Sequence, residues 1–212
     1  MNDCGGEPGR EPGSRENLRS REPDGSQAER PADAQLEKRL DTQQIELLGR
    51  QELISQLVRA GVEVATPLRD RGVDLIAYCD LSEQGTRFAA CPIQLKVASG
   101  AYFSVERKYA RIADLLIVYL WNLEDPKNLA VYAMTYAQAL AVAEKKGWTK
   151  TSSWMDRGCY TVTSVGRELE RLLRAHRMSP SGWRALVRGR AEAAVARGQI
   201  SGQPADTQGS EP

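Results

Sequence analysis

Apolar positions recur along this chain in helical, alternating and continuous runs, and long stretches at both ends carry almost none. Over residues 34–60, Leu36, Leu40, Leu47, Leu48, Ile54, Leu57 and Val58 fall close to helical spacing, and Gly61 stands where a helix stops. Residues 62–65 predict a short strand closed by Thr66-Pro67. Two further strand-like runs, Gly72-Val73-Asp74-Leu75-Ile76-Ala77-Tyr78 and Pro92-Ile93-Gln94-Leu95-Lys96-Val97, flank a polar turn at Glu83-Gln84-Gly85-Thr86 and predict a hairpin. Residues 103–110 predict a helix. The most hydrophobic run, 114–121, predicts a central buried strand, and 128–134 its hairpin partner. A helix over 136–146 ends at Gly147, and 159–162 reads as a late edge strand. Residues 166–177 form an amphipathic pattern with Leu169, Leu172 and Leu173 inward, and 182–197 predict one more helix, rich in Ala and Arg.

This order predicts a single α/β domain over residues 35–177, a mixed sheet with helices on both faces. Residues 1–34 repeat a turn-prone unit (Glu7-Pro8-Gly9, Glu11-Pro12-Gly13, Glu22-Pro23-Asp24-Gly25) with nothing apolar to bury, which predicts a disordered tail. Residues 178–212 predict a basic helix followed by a second disordered tail.

Charge changes the picture only locally. The net charge of the 212 residues is +1, which implies no polyanionic partner for the chain as a whole. Residues 167–197, however, hold eight arginines against three glutamates, a basic surface late in the chain. The four cysteines, Cys4, Cys79, Cys91 and Cys159, form no C-x-x-C, and His176 is the one histidine, so the pattern argues against zinc. No apolar leader opens the chain, and no apolar run approaches the roughly 20 residues that span a bilayer. A cytoplasmic, reducing setting without membrane contact is expected, with Cys79 and Cys91 as thiols.

The candidate chemistry lies in the first hairpin. Gln94 and Lys96 share one face of their strand, while Ile93, Leu95 and Val97 take the other. A hairpin symmetric about Gly85 sets Asp74 directly opposite Lys96, with Gln94 on the diagonal. A carboxylate and an amide oxygen on adjacent strands can hold a hard cation such as Mg2+. A lysine beside them can orient or deprotonate a water, or neutralise charge on a phosphate. The same residues also fit a purely structural cross-strand ion pair.

In this order, Gly72-Val73-Asp74-Leu75-Ile76, a hairpin, then Ile93-Gln94-Leu95-Lys96, the chain resembles the PD-(D/E)XK nuclease superfamily over about residues 44–134. The resemblance implies a restriction-endonuclease-like α-β-β-β-α-β core and hydrolysis of DNA phosphodiester bonds dependent on Mg2+ or Mn2+. It assigns Asp74 to the metal-binding aspartate and Lys96 to the lysine that assists the attacking water. Glu52 on the first helix would complete the metal site, with Glu46 as second candidate and Asp70 as a further carboxylate. Arg107, Lys108 and Arg111 would meet phosphates, joined by the arginines of 171–190. Trp148, Trp154 and Trp183 would either stack on bases or pack internally. A homodimer would suit cutting both strands. The departure is Gln94, which stands where the superfamily most often has Glu or Asp and brings no negative charge. Some branches of the superfamily have lost activity, so the alternative expectation is a non-catalytic nucleic-acid-binding or assembly module on the same fold.

Overall fold

The structure, a computed structural model, describes residues 40–69, 71–82 and 88–197. The predicted tails 1–34 and 198–212, the hairpin turn at 83–87 and Asp70 lie outside the described residues.

Helix α1 (Thr42–Arg59) begins with a reciprocal cap. The Asp41 carboxylate accepts from the Gln44 N–H at 2.8 Å, and the Gln44 amide oxygen accepts from the Asp41 N–H at 2.9 Å. Past the C-terminal end, Gly61 takes φ +72°, the left-handed turn that glycine tolerates. The buried face differs from the predicted one. It consists of Gly49, Leu53, Gln56 and Leu57, whereas Leu47 and Val58 are each 58% exposed. Periodicity does not show this face, because one of its members is a glycine and another a glutamine. A Cβ on Gly49 would come within 2.5 Å of the Val97 methyls, so α1 lies too close there for any side chain.

Among the described residues seven strands follow: β1 (Glu63–Ala65), β2 (Leu75–Asp80), β3 (Phe88–Val97), β4 (Phe103–Glu106), β5 (Leu116–Trp121), β6 (Ala130–Thr135) and β7 (Cys159–Val162). Five of them form the main sheet in the order β1-β2-β3-β5-β6, with β3 and β5 parallel and the other neighbours antiparallel. Every residue of β5 is buried, as its continuous apolar run predicts. Residues 103–110 are not the expected helix. They form β4 and then a 3-10 turn, Arg107–Arg111. Phe103 stacks on Tyr119 with ring centroids 4.9 Å apart, and β4 pairs with β7 in a second, two-stranded sheet, so tertiary packing decides against local helical pattern.

Helices cover both faces of the main sheet. On one side α1 and α5 (Trp183–Ala196) enclose a core of Leu53, Leu57, Leu75, Ile93, Val118, Trp183 and Val187. On the other side, α2 (Tyr136–Lys145), α3 (Ser152–Arg157), α4 (Arg167–Leu173) and the small sheet enclose Phe103, Tyr119, Met134, Trp154 and Leu173. The sequence closes the domain at residue 177, yet α5 lies beyond it and places Trp183, Val187 and Ala191 in the first core. The fold is thus α/β, a mixed central sheet flanked by helices. Cys79 and Cys91 are buried free thiols, and burial pushes the Cys91 thiol up to about 11. Among the described residues no helix is long and apolar enough to cross a membrane.

Candidate functional site

The register of β2 against β3 builds the site. Leu75 pairs with Ile93 and Ala77 with Cys91, which sets Asp74, one residue before β2, beside Gln94 rather than opposite Lys96. The expected register was off by two residues. A shift of two keeps every side chain on its face, so the hydrophobic pattern is the same in both registers. The Asp74 N–H donates to the Ile93 carbonyl at 2.8 Å. The Asp74 Oδ2 accepts from the Leu95 N–H at 2.7 Å and from the Gln94 amide nitrogen. That nitrogen also donates to the Leu95 carbonyl at 3.2 Å. Gln94 is buried, and its amide oxygen is turned away from Asp74.

Asp74 and Gln94 line a cavity of about 800 Å3, together with Glu46 from α1, Arg71, and Lys108, Tyr109 and Arg111 from the 3-10 turn. Glu46, read as the second candidate, is the α1 carboxylate at this cavity. Glu52 is not part of its wall and accepts instead from the Gln56 amide at 2.7 Å. Six residues along a helix with about 3.6 residues per turn carry the two side chains to different faces.

Lys96 lies on the same strand face as Gln94 but is not part of the cavity wall. Its ammonium pairs with Glu106 at the end of β4. The other oxygen of Glu106 takes Lys108 at 2.7 Å. Both ammonium groups lie over the Tyr109 ring, at 5.2 Å and 5.0 Å from its centroid. Burial works to raise the Glu106 pKa, but the hydrogen bonds from Lys108 and Lys96 outweigh it and hold the carboxyl below its usual range. Its hydrogen bond in turn raises the Lys108 pKa. Sequence reading missed Glu106 because a helix was expected there. It is the lone acidic residue between 98 and 113, and set at the end of a strand directly before a basic turn it would have drawn notice.

Of the predicted phosphate contacts, Lys108 and Arg111 line the cavity. Arg107 is turned toward α3, where its guanidinium donates to the Trp154 carbonyl at 3.0 Å and stacks 5.2 Å from the indole centroid. The late arginines are in part structural: Arg190 reaches Asp114 at 3.3 Å and Arg188 reaches Glu192 at 2.9 Å. Trp154 and Trp183 are buried, and Trp148 stacks on Tyr160, so the tryptophans pack internally.

Among the described residues, the groups lining the cavity with Asp74 include a second carboxylate, Glu46, and the Gln94 amide, whose oxygen would have to turn to act as a ligand, with no thiolate or imidazole. That set suits a hard cation, which takes oxygen ligands and keeps several waters. Among the described residues no cluster of three or more His, Cys, Asp or Glu is placed to hold a metal.

No protein-family model matches the chain, and no curated protein does. Among solved structures, the chain is similar to a bacterial homing endonuclease at 14% identity and a TM-score of 0.40, over 74% of this chain and 98% of that one. A likeness at that level decides nothing about the chemistry, which rests on the site itself.

Proposed function

We propose that the chain is a metal-dependent DNA endonuclease of the PD-(D/E)XK type, built around Asp74 and Gln94. The observation that carries this reading is the cross-strand pairing of Asp74 with Gln94 in the wall of a cavity that also presents Glu46, Arg71, Lys108 and Arg111. Asp74, Glu46 and the Gln94 amide oxygen would hold Mg2+ or Mn2+. When bound, such a cation supplies Lewis-acid polarisation of a phosphoryl oxygen and a more acidic water. The chain's own residues do the rest. Arg71, Lys108 and Arg111 bind phosphate oxygens by charge. Lys96, outside the cavity wall and paired with Glu106, would act on the reacting phosphate across the strand face it shares with Gln94. To offer its oxygen as a ligand, Gln94 must turn its amide and give up both hydrogen bonds of its nitrogen.

One observation favours a second reading. The Gln94 amide already neutralises part of Asp74 by donating to it, so the site is satisfied without a cation. A nucleic-acid-binding module that does no chemistry would need nothing more. A plasmid-cleavage assay in Mg2+ and in Mn2+ separates the two. Nicking by the wild type that is lost in both Asp74→Ala and Lys96→Ala supports the endonuclease. Binding without nicking in either metal moves the conclusion to the binding module.

A further inference from the structure

A second cleft, of about 480 Å3, adjoins the cavity of Asp74 on the far side of the 3-10 turn. Lys108 and Arg111 line both. Its outer wall is built from Arg107 at the start of the 3-10 turn, Asp156 and Arg157 at the end of α3, Gly158 after it, and Cys159 of β7. The wall is tied together by backbone and side-chain contacts. The Arg107 N–H donates to the Gly158 carbonyl at 2.6 Å, and the Arg107 side chain is docked on Trp154. Gly158 has φ +67°, and a Cβ there would lie 3.1 Å from the Arg107 Cβ, so the two segments touch where glycine allows it. Four cations and two carboxylates face this cleft; with Glu106 and Lys108 paired to each other, Arg107, Arg111 and Arg157 stand against Asp156. Arg157 is exposed at its rim, where its guanidinium donates to the Ser153 hydroxyl at 3.2 Å.

We propose that this cleft is a second phosphate track, into which the DNA strand runs after it leaves the cavity of Asp74, with Arg157 as its outermost phosphate contact. The inference rests on the endonuclease reading and extends the nucleic-acid surface beyond Arg107, Lys108 and Arg111 to α3. Two basic clefts that share the side chains between them give a continuous electropositive path, which follows a strand's backbone without reading its sequence. Each phosphate so neutralised steepens the dependence of affinity on salt.

The test is the salt dependence of binding of a fluorescein-labelled DNA duplex, measured by anisotropy in Ca2+ with the full chain. Arg157→Ala is expected to lower the slope of log affinity against log salt by about 0.9, the value of one phosphate contact. Arg157→Lys should keep the slope. Arg59→Ala, about 20 Å from Glu46 along α1 at 1.5 Å per residue, controls for loss of bulk charge. A slope unchanged in Arg157→Ala, or reduced equally in Arg59→Ala, overturns the proposal while leaving DNA binding at the first cavity intact. Wild-type protein that shows no salt-dependent binding to the duplex overturns the proposal and the endonuclease reading with it.

Discussion

The Asp74 carboxylate is held by Gln94: the amide nitrogen donates to Oδ2, the same oxygen that accepts from the Leu95 N–H. A glutamate in place of Gln94 could accept but not donate. The glutamine therefore satisfies the carboxylate without a cation.

Gln94→Glu tests this directly. In the presence of EDTA two carboxylates would adjoin in a largely buried place, and loss of the donor leaves Asp74 less satisfied. Stability should fall by about 1–3 kcal/mol, read from urea denaturation. Added Mg2+ should recover more stability in the variant than in the wild type, since binding to the native state stabilises by mass action. Equal stability of the two proteins in EDTA would show that the Gln94 hydrogen bond matters little.

Glu106 makes a second prediction through pH. Its folded-state pKa is lowered, so its pairing with Lys96 and Lys108 contributes stability that is present above the unfolded glutamate value of about 4.3 and lost as pH falls through the folded value. Lys108 has the opposite sign. Its folded pKa is raised, so its contribution is present below the unfolded lysine value of about 10.4 and lost as pH rises through the folded value. Glu106→Gln should flatten both limbs of a plot of denaturation midpoint against pH. An acid limb as steep in the variant as in the wild type would mean that the pair is not formed in solution.

How far the sequence could go is clear from these two residues. The α/β order, the buried run of β5, the stop at Gly61 and the shared face of Gln94 and Lys96 all follow from periodicity, which is local. The pairing of Asp74 with Gln94 does not. Registers two residues apart give identical faces, so the choice between them belongs to the hairpin turn and to packing across the sheet. Glu52 ranks before Glu46 in the sequence for a like reason, because the buried stripe of α1 passes through Gly49, which carries no hydrophobic signal. Glu106 depended on reading residues 103–106 as a strand, and that strand exists through its pairing with β7, more than fifty residues away.

Gly49 offers a third prediction, against helix propensity. In an exposed helix interior, Gly→Ala stabilises by about 1 kcal/mol. Here the new methyl would meet Val97 on β3, and the Val97 side chain would have to move or α1 would have to lift. Gly49→Ala should therefore destabilise by about 1–3 kcal/mol, the range for overpacked cores. Since Glu46 lies one turn earlier on the same helix, the variant should also weaken Mg2+ binding measured by calorimetry. The double variant Gly49→Ala/Val97→Ala should restore much of the lost stability, because it removes the methyls in the way. A single variant as stable as the wild type would mean that α1 stands farther from β3 than described.

The last prediction concerns α5, which lies beyond residue 177. The buried indole N–H of Trp183 donates to the Gln56 amide oxygen at 3.0 Å, and the Gln56 nitrogen donates to Glu52. One chain of hydrogen bonds thus joins α5 to α1 across the core. Gln56→Leu keeps the volume but leaves the indole N–H buried without an acceptor, at a cost of about 1–3 kcal/mol. Trp183→Phe removes the donor and leaves the Gln56 oxygen unpaired, so it should cost a similar amount. With both partners replaced, neither polar group remains to be satisfied, and the double variant should lose less than the two single losses added together. Additive losses in denaturant unfolding would show that the two side chains act independently. Truncation after residue 177 removes Trp183, Val187 and Ala191 from the core together and should abolish cooperative unfolding; a truncated chain that still unfolds cooperatively would show that α5 is dispensable to the domain.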